Sequence, residues 1–151
     1  MIATWAFVAL LVGLSAWAGI VDGQSRRIPN TCCGCVAACG LALQLARMGS
    51  GAFPLLGEPL SCVCVAVVVA LLGAGVELAY RWARGRAGLG FGDIKYVSAW
   101  AVSLGWLVFP AVALACLLGA AWGLATRQRT FALGPWLSLA FVGVVVAVCF
   151  L

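Results

Sequence analysis

The sequence has no histidine, and only four acidic and nine basic residues among 151. Without histidine the chain can build neither a histidine-based hydrolase triad nor a mixed cysteine–histidine zinc site. Charged residues make up 9% of the chain against 66% apolar residues, with a mean hydropathy of +1.17. So few charges cannot clothe a folded sphere of this length in water, which excludes a water-soluble globule. Disorder is excluded by the abundance of apolar surface to bury. Nine basic residues scattered among long apolar runs form no basic domain, so nucleic acid is not an expected partner. What remains is a polytopic membrane protein, in which the bilayer solvates the apolar excess.

The charges fall in short clusters, and the uncharged runs between them define the spans. Met1 to Val21, Ile28 to Ala46 and Thr130 to Leu151 each have close to the ~20 residues that cross the hydrocarbon at about 1.5 Å per residue. Pro59 to Val76 is uncharged and continues through Glu77 to Tyr80; Glu77 and Arg81, four apart, can pair at the membrane edge. Tyr96 to Thr126 is 31 residues, too long for one untilted span, and Gly105 and Pro110 at its middle are turn candidates, so it divides into two short helices. The expected fold is all-α: a polytopic bundle of six transmembrane helices forming a single membrane-embedded domain over residues 1–151.

Basic residues stay on the cytoplasmic side of short loops. Six spans with an extracytoplasmic N-terminus put Arg26, Arg27, Arg81, Arg84, Arg86, Lys95, Arg127 and Arg129 in the cytoplasm and Arg47 alone outside. Five spans would set Arg127 and Arg129 against the others. Charge asymmetry therefore favours six, with both termini extracytoplasmic in a multi-pass protein of the inner (cytoplasmic) membrane. Ala16-Trp17-Ala18 resembles a signal cleavage site, but no Lys or Arg precedes the apolar run, and an uncleaved first helix is expected.

Eight cysteines are present; Cys32 and Cys35 have CxxC spacing, and Cys62 and Cys64 form a close pair. Cys39, Cys62, Cys64, Cys116 and Cys149 lie within apolar runs, where cysteine serves as a small packing residue. A membrane thiol oxidoreductase built on Cys32 and Cys35 is a minor alternative, weakened by a place near the cytoplasmic boundary, where thiols stay reduced. Neither a metal nor another cofactor is expected.

Two of the four acidic residues have ordinary explanations: Glu58 lies in a solvated loop, and Glu77 has Arg81 one turn on. Asp22 and Asp93 differ, because each falls where a cytoplasmic loop meets a span, on the same side of the membrane, and carboxylates so placed are functional candidates. Asp22 lies in IVDGQSRRIPN, where Pro29 opens the next helix. Asp93 lies in GLGFGDIK after Gly88, Gly90 and Gly92, which permit a sharp bend and close chain approach, and before Lys95. An N-cap role at a flexible turn would account for Asp93 alone. A phosphate cradle is disfavoured by the aspartate at its exit and the lack of a following GK[ST].

Taken together, these two segments resemble the prepilin peptidase family, the membrane aspartyl proteases that process type IV prepilins and related preflagellins. Asp22, Arg26, Arg27, Ile28, Pro29 and Asn30 match its aspartate at a helix end followed by a basic IPN segment, and Gly90, Gly92, Asp93 and Lys95 match its GxGDxK. Gly134-Pro135 is a looser third match. The cysteines do not reproduce the two CxxC pairs of the larger bacterial members, so pilin methylation is not implied. The sequence is similar to the short forms that serve tight-adherence pili or archaeal filaments. GxGD also occurs in presenilin-like proteases, which have more spans than 151 residues can supply.

The resemblance implies catalytic Asp22 and Asp93, supported by Gly90, Gly92, Lys95, Pro29 and Asn30. It implies as substrate a prepilin with a short basic leader joined to an apolar helix, cut on the cytoplasmic side after a glycine. Two carboxylates that share a proton can hydrolyse an amide without a metal, one activating water and the other donating to the carbonyl oxygen. For this, the first and fourth helices must meet at their cytoplasmic ends. Lys95 is placed to moderate the Asp93 charge or to contact lipid phosphate, while Arg81, Arg84 and Arg86 are assigned to orientation and anionic lipid headgroups. The alternative of another class is a non-enzymatic scaffold or transporter subunit whose aspartates pair with arginines or relay protons.

Overall fold

The computed structural model describes residues 2–48, 53–86, 88, 90–127 and 132–150. Helices α1 (Ile2–Ser25), α2 (Asn30–Met48), α3 (Pro59–Arg84), α4 (Phe91–Leu104), α5 (Val108–Thr126) and α6 (Gly134–Phe150) follow in order, with 3₁₀ turns at Pro54–Leu56 and Gly105–Leu107. The protein is an all-α membrane bundle, with no strand among the described residues. Ile2–Ser25, Asn30–Met48, Pro59–Arg84 and Phe91–Thr126, the last taken across its 3₁₀ turn, are long and apolar enough to cross a bilayer; Gly134–Phe150 is a shorter apolar helix. Large apolar side chains such as Leu71, Leu72, Val76, Leu117 and Leu124 point outward, as a lipid solvent allows.

Local chemistry sets the helix ends. α1 stops where Arg26 takes a positive φ of 53° and donates its N–H to the Asp22 carbonyl at 2.8 Å. Pro29 then precedes α2, its carbonyl accepting from the N–H groups of Cys32 and Cys33 at 3.0 and 3.3 Å. α3 opens on Pro59, suited to a first turn, and closes at Gly85 with φ 65°. It runs past its expected end at Tyr80 to Arg84, because Arg81 pairs with buried Glu77, as their spacing predicts, and also lies 4.6 Å above the centroid of the Phe91 ring. Arg81 thus joins α3 to the start of α4, a role beyond lipid headgroups.

The long run after Asp93 breaks at Gly105, whose φ is 54°. A Cβ there would sit 2.8 Å from Cys62 Sγ and 3.3 Å from the Leu56 carbonyl oxygen, so both backbone and space require glycine. Pro110, the other turn candidate, lies inside the first turn of α5, where its missing N–H costs nothing. The division into two helices is as expected, and Gly105 alone makes it.

α4 packs chiefly against α2 and α3, α1 against α6 and α2, and α5 against α6. With 14 residues, α4 spans about 21 Å, less than the hydrocarbon thickness, and it is the best-buried element: Tyr96 and Trp100 are fully enclosed. Phe141 of α6 stacks on Trp100 at 5.3 Å, and the Tyr96 hydroxyl bonds to Ser138 at 2.9 Å. Trp5 contacts both Phe53 and Phe150, at 5.6 and 6.1 Å, which gathers both chain ends at one end of the bundle. Asp22, Asn30, Gly90 and Asp93 meet at the other.

Candidate active site

α1 delivers Asp22 in its last turn, and α4 delivers Asp93 in its first. Both line one cavity of about 320 Å³, together with Arg26, Arg27, Ile28, Asn30, Gly90, Phe91 and Gly92. The ends of the first and fourth helices therefore meet, as a dyad requires. Asp22 is buried and Asp93 half-buried. Two carboxylates in one partly enclosed cavity repel, and such a pair is disposed to share a proton.

Their partners differ. Asp22 Oδ2 accepts a hydrogen bond from the Gly134 backbone N–H at 3.0 Å. No donor reaches the Asp93 carboxylate among the described residues. Nor is Asp93 an N-cap: Gly90 holds that position, and Asp93 sits three residues into the helix with its own N–H donating to the Gly90 carbonyl at 3.1 Å.

Lys95 donates to Asn30 Oδ1 at 3.1 Å, tying α4 to the start of α2 at the exposed rim. No ion pair between Lys95 and Asp93 is present among the described residues. Pro29 contributes through its backbone, setting the first turn of α2 and so the position of Asn30.

The glycines act differently from the sharp bend expected of them. Gly90 has φ −69° and ψ 138°, open to any residue, and Gly92 is helical. A Cβ on Gly90 would come 3.4 Å from Asp93 Oδ2, and one on Gly92 3.7 Å from the Ile28 nitrogen. Both distances are ordinary van der Waals contacts, so neither position demands glycine for space. Close approach occurs at Gly88 instead, where a Cβ would lie 2.6 Å from the Tyr80 ring.

Gly134, noted in the sequence only within the loose Gly134-Pro135 match, is the residue that meets Asp22 from α6. A Cβ on it would fall 2.4 Å from Asp22 Oδ2 and 2.7 Å from its Cγ. A Gly-Pro pair opening the last span was the available signal.

Cys32, Cys33, Cys39 and Cys62 are buried between helices, whereas Cys64 and Cys116, expected as packing residues, are exposed on outward helix faces. Cys32 Sγ faces the Leu14 carbonyl at 3.6 Å, and Cys39 Sγ faces that of Phe7 at 3.4 Å. Cys32 and Cys35 are unpaired, the first buried and the second exposed. A larger cavity, about 730 Å³, lies beside Arg47, Pro54 and Glu58, but only one carboxylate lines it. The smaller cavity, by contrast, holds the paired carboxylates.

A family model described as "Type IV leader peptidase family" matches residues 9–124, well over half the chain, spanning both aspartates. Neither the comparison with curated proteins nor that with solved structures gives a match.

Proposed function

The chain belongs to the type IV leader peptidase family, and from that premise we propose that it is an aspartyl endopeptidase removing the short leader from prepilin-like proteins. The observation that carries this is the meeting of Asp22 and Asp93 in one cavity at the end of the bundle. One ionised carboxylate takes a proton from water as it attacks the scissile carbonyl; the other, protonated, donates to the carbonyl oxygen and thereby stabilises the developing charge. Gly90, Gly92 and Asn30 line the cavity beside them, and Pro29 and Lys95 fix the position of Asn30 at its rim.

The site faces the cytoplasm in a six-span protein of the inner membrane. Support comes from Arg26 and Arg27 lining the cavity, from Lys95 and Arg81 adjoining it, and from both chain ends gathering at the far end beside lone Arg47. A substrate anchored by its own apolar helix reaches such a site by a two-dimensional search at raised effective concentration. Basic rim residues do not attract a basic leader, so they serve orientation and lipid.

Co-expression with a candidate prepilin tests the reading, with leader removal followed by gel shift and membrane insertion of each variant verified. Wild type processes the substrate, and Asp22→Asn and Asp93→Asn do not. Processing that survives either substitution removes the aspartyl mechanism and favours a scaffold.

A further inference from the structure

Resting on the aspartyl reading above, we propose that Gly134 is a positioning residue whose backbone N–H holds Asp22 as the ionised, water-activating member of the pair, leaving Asp93 as the acid. The argument begins with the donors at the start of α6. Pro135 has no N–H, and those of Trp136 and Leu137 go to the Leu133 carbonyl at 3.1 and 3.0 Å. The Gly134 N–H is left over at a helix N-terminus, where partial positive charge accumulates. Asp22 Oδ2 takes it at 3.0 Å.

The approach that makes this bond depends on glycine at position 134. No side chain fits at position 134, since even a Cβ would lie 2.4 Å from the carboxylate oxygen. On α1, a Cβ at Gly19 would stand 3.5 Å from the Pro135 Cα, an ordinary packing distance, so the α6 start lies against the turn before Asp22.

Charge around the pair is consistent with this division. Arg26 and Arg27 line the cavity from the α1–α2 connection, and α6 contributes no charged residue of its own. α4 contributes Asp93 itself and Lys95, whose amine is bonded to Asn30. α2 adds the Cys33 thiol, near enough to Asp93 and Lys95 to feel both. Asp22 therefore has a backbone donor that Asp93 lacks, and a donor to a carboxylate favours its ionised form.

The test is Gly134→Ala in purified enzyme in liposomes, with cleavage of a prepilin-like substrate followed across the acid range. The added Cβ displaces the Asp22 carboxylate from its donor. The expected result is a kcat about 10- to 100-fold lower, the scale of a lost hydrogen bond to a charged group. KM stays nearly constant and the acid limb moves about one pH unit upward, because an Asp22 without its donor must be deprotonated at higher pH to act as base. Gly143→Ala, on the same helix where a Cβ meets nothing within 4 Å, leaves rate and profile unchanged.

A Gly134→Ala enzyme with the wild-type rate and profile overturns the proposal. So does one that loses rate with no movement of the acid limb, which would mark Gly134 as packing alone. If the variant fails to insert, the amide proton of Gly134 in the wild type provides the readout. It should titrate with the midpoint of the acid limb and lose that titration in Asp22→Asn; an amide shift indifferent to pH refutes the idea. Activity surviving in Asp22→Asn would sink the aspartyl reading itself, a result distinguishable from failure of the Gly134 contact.

Discussion

At the end of the bundle that holds Arg47, buried polar groups close on one another. Arg47 donates to Gln44 Oε1 at 2.6 Å and to the Phe53 carbonyl at 3.0 Å, while the Gln44 amide reaches the Ser103 carbonyl at 2.9 Å and Cys62 Sγ at 3.1 Å. Cys62 in turn faces the Leu56 carbonyl at 3.0 Å. One network thus clamps α2, α3, the end of α4 and the first 3₁₀ turn. At the opposite end, Asp22 and Asp93 share an open cavity with one backbone donor between them among the described residues. A hydrogen-bonded network rigidifies a fold, whereas a carboxylate pair that repels, with a donor to one member alone, works against it. The first end is built to hold the bundle together. The second carries a cost in stability that the proposed acid–base role would explain.

Substitutions at the two ends should therefore separate stability from activity. The largest effect belongs to Asp22→Asn and Asp93→Asn, each expected to lower cleavage by about 10²- to 10⁴-fold, the worth of a positioned acid or base. Thermal unfolding in detergent should show each variant as stable as the wild type or more so, since one like charge is gone. Gln44→Leu should do the reverse. It takes one acceptor from Arg47 and the donor from the Ser103 carbonyl and costs about 1–3 kcal/mol in unfolding experiments, with kcat unchanged for the folded fraction.

Smaller effects lie at the rim. Lys95→Met breaks an exposed bond to Asn30, so a stability loss of about 0.5–1.5 kcal/mol at most is expected, with cleavage reduced only a few-fold in a steady-state assay. Cys35→Ser, at an exposed thiol, should change stability by no more than about 0.5 kcal/mol and leave cleavage intact. Lost activity in that variant would restore the thiol reading.

Much of this arrangement was legible in the sequence because charge is so scarce in it. Uncharged runs marked the helices, and a 31-residue run forced a break that Gly105 supplies through its positive φ. Asp22 and Asp93 stood out once Glu58 and Glu77 had ordinary explanations. What stayed hidden were contacts that leave no side-chain trace. The Gly134 N–H reaches Asp22 across 112 positions, and no rule of spacing announces a backbone donor. Arg47 looked like the odd charge in a topology count, while its role as the anchor of a buried network depends on three other elements meeting there. The glycines before Asp93 suggested a bend, yet it is small size that matters, and at Gly88 rather than beside the aspartate, where the Tyr80 ring leaves no room for a Cβ.

The central claim is that Asp22 and Asp93 act as one unit. Its most direct test is a double-mutant cycle in purified enzyme, measuring cleavage of a prepilin-like substrate by wild type, Asp22→Asn, Asp93→Asn and the double variant. Members of a single proton-sharing pair are grossly non-additive, so each single substitution should cost nearly as much as both together. Losses that add across the two sites, or full activity in either single variant, would contradict the account.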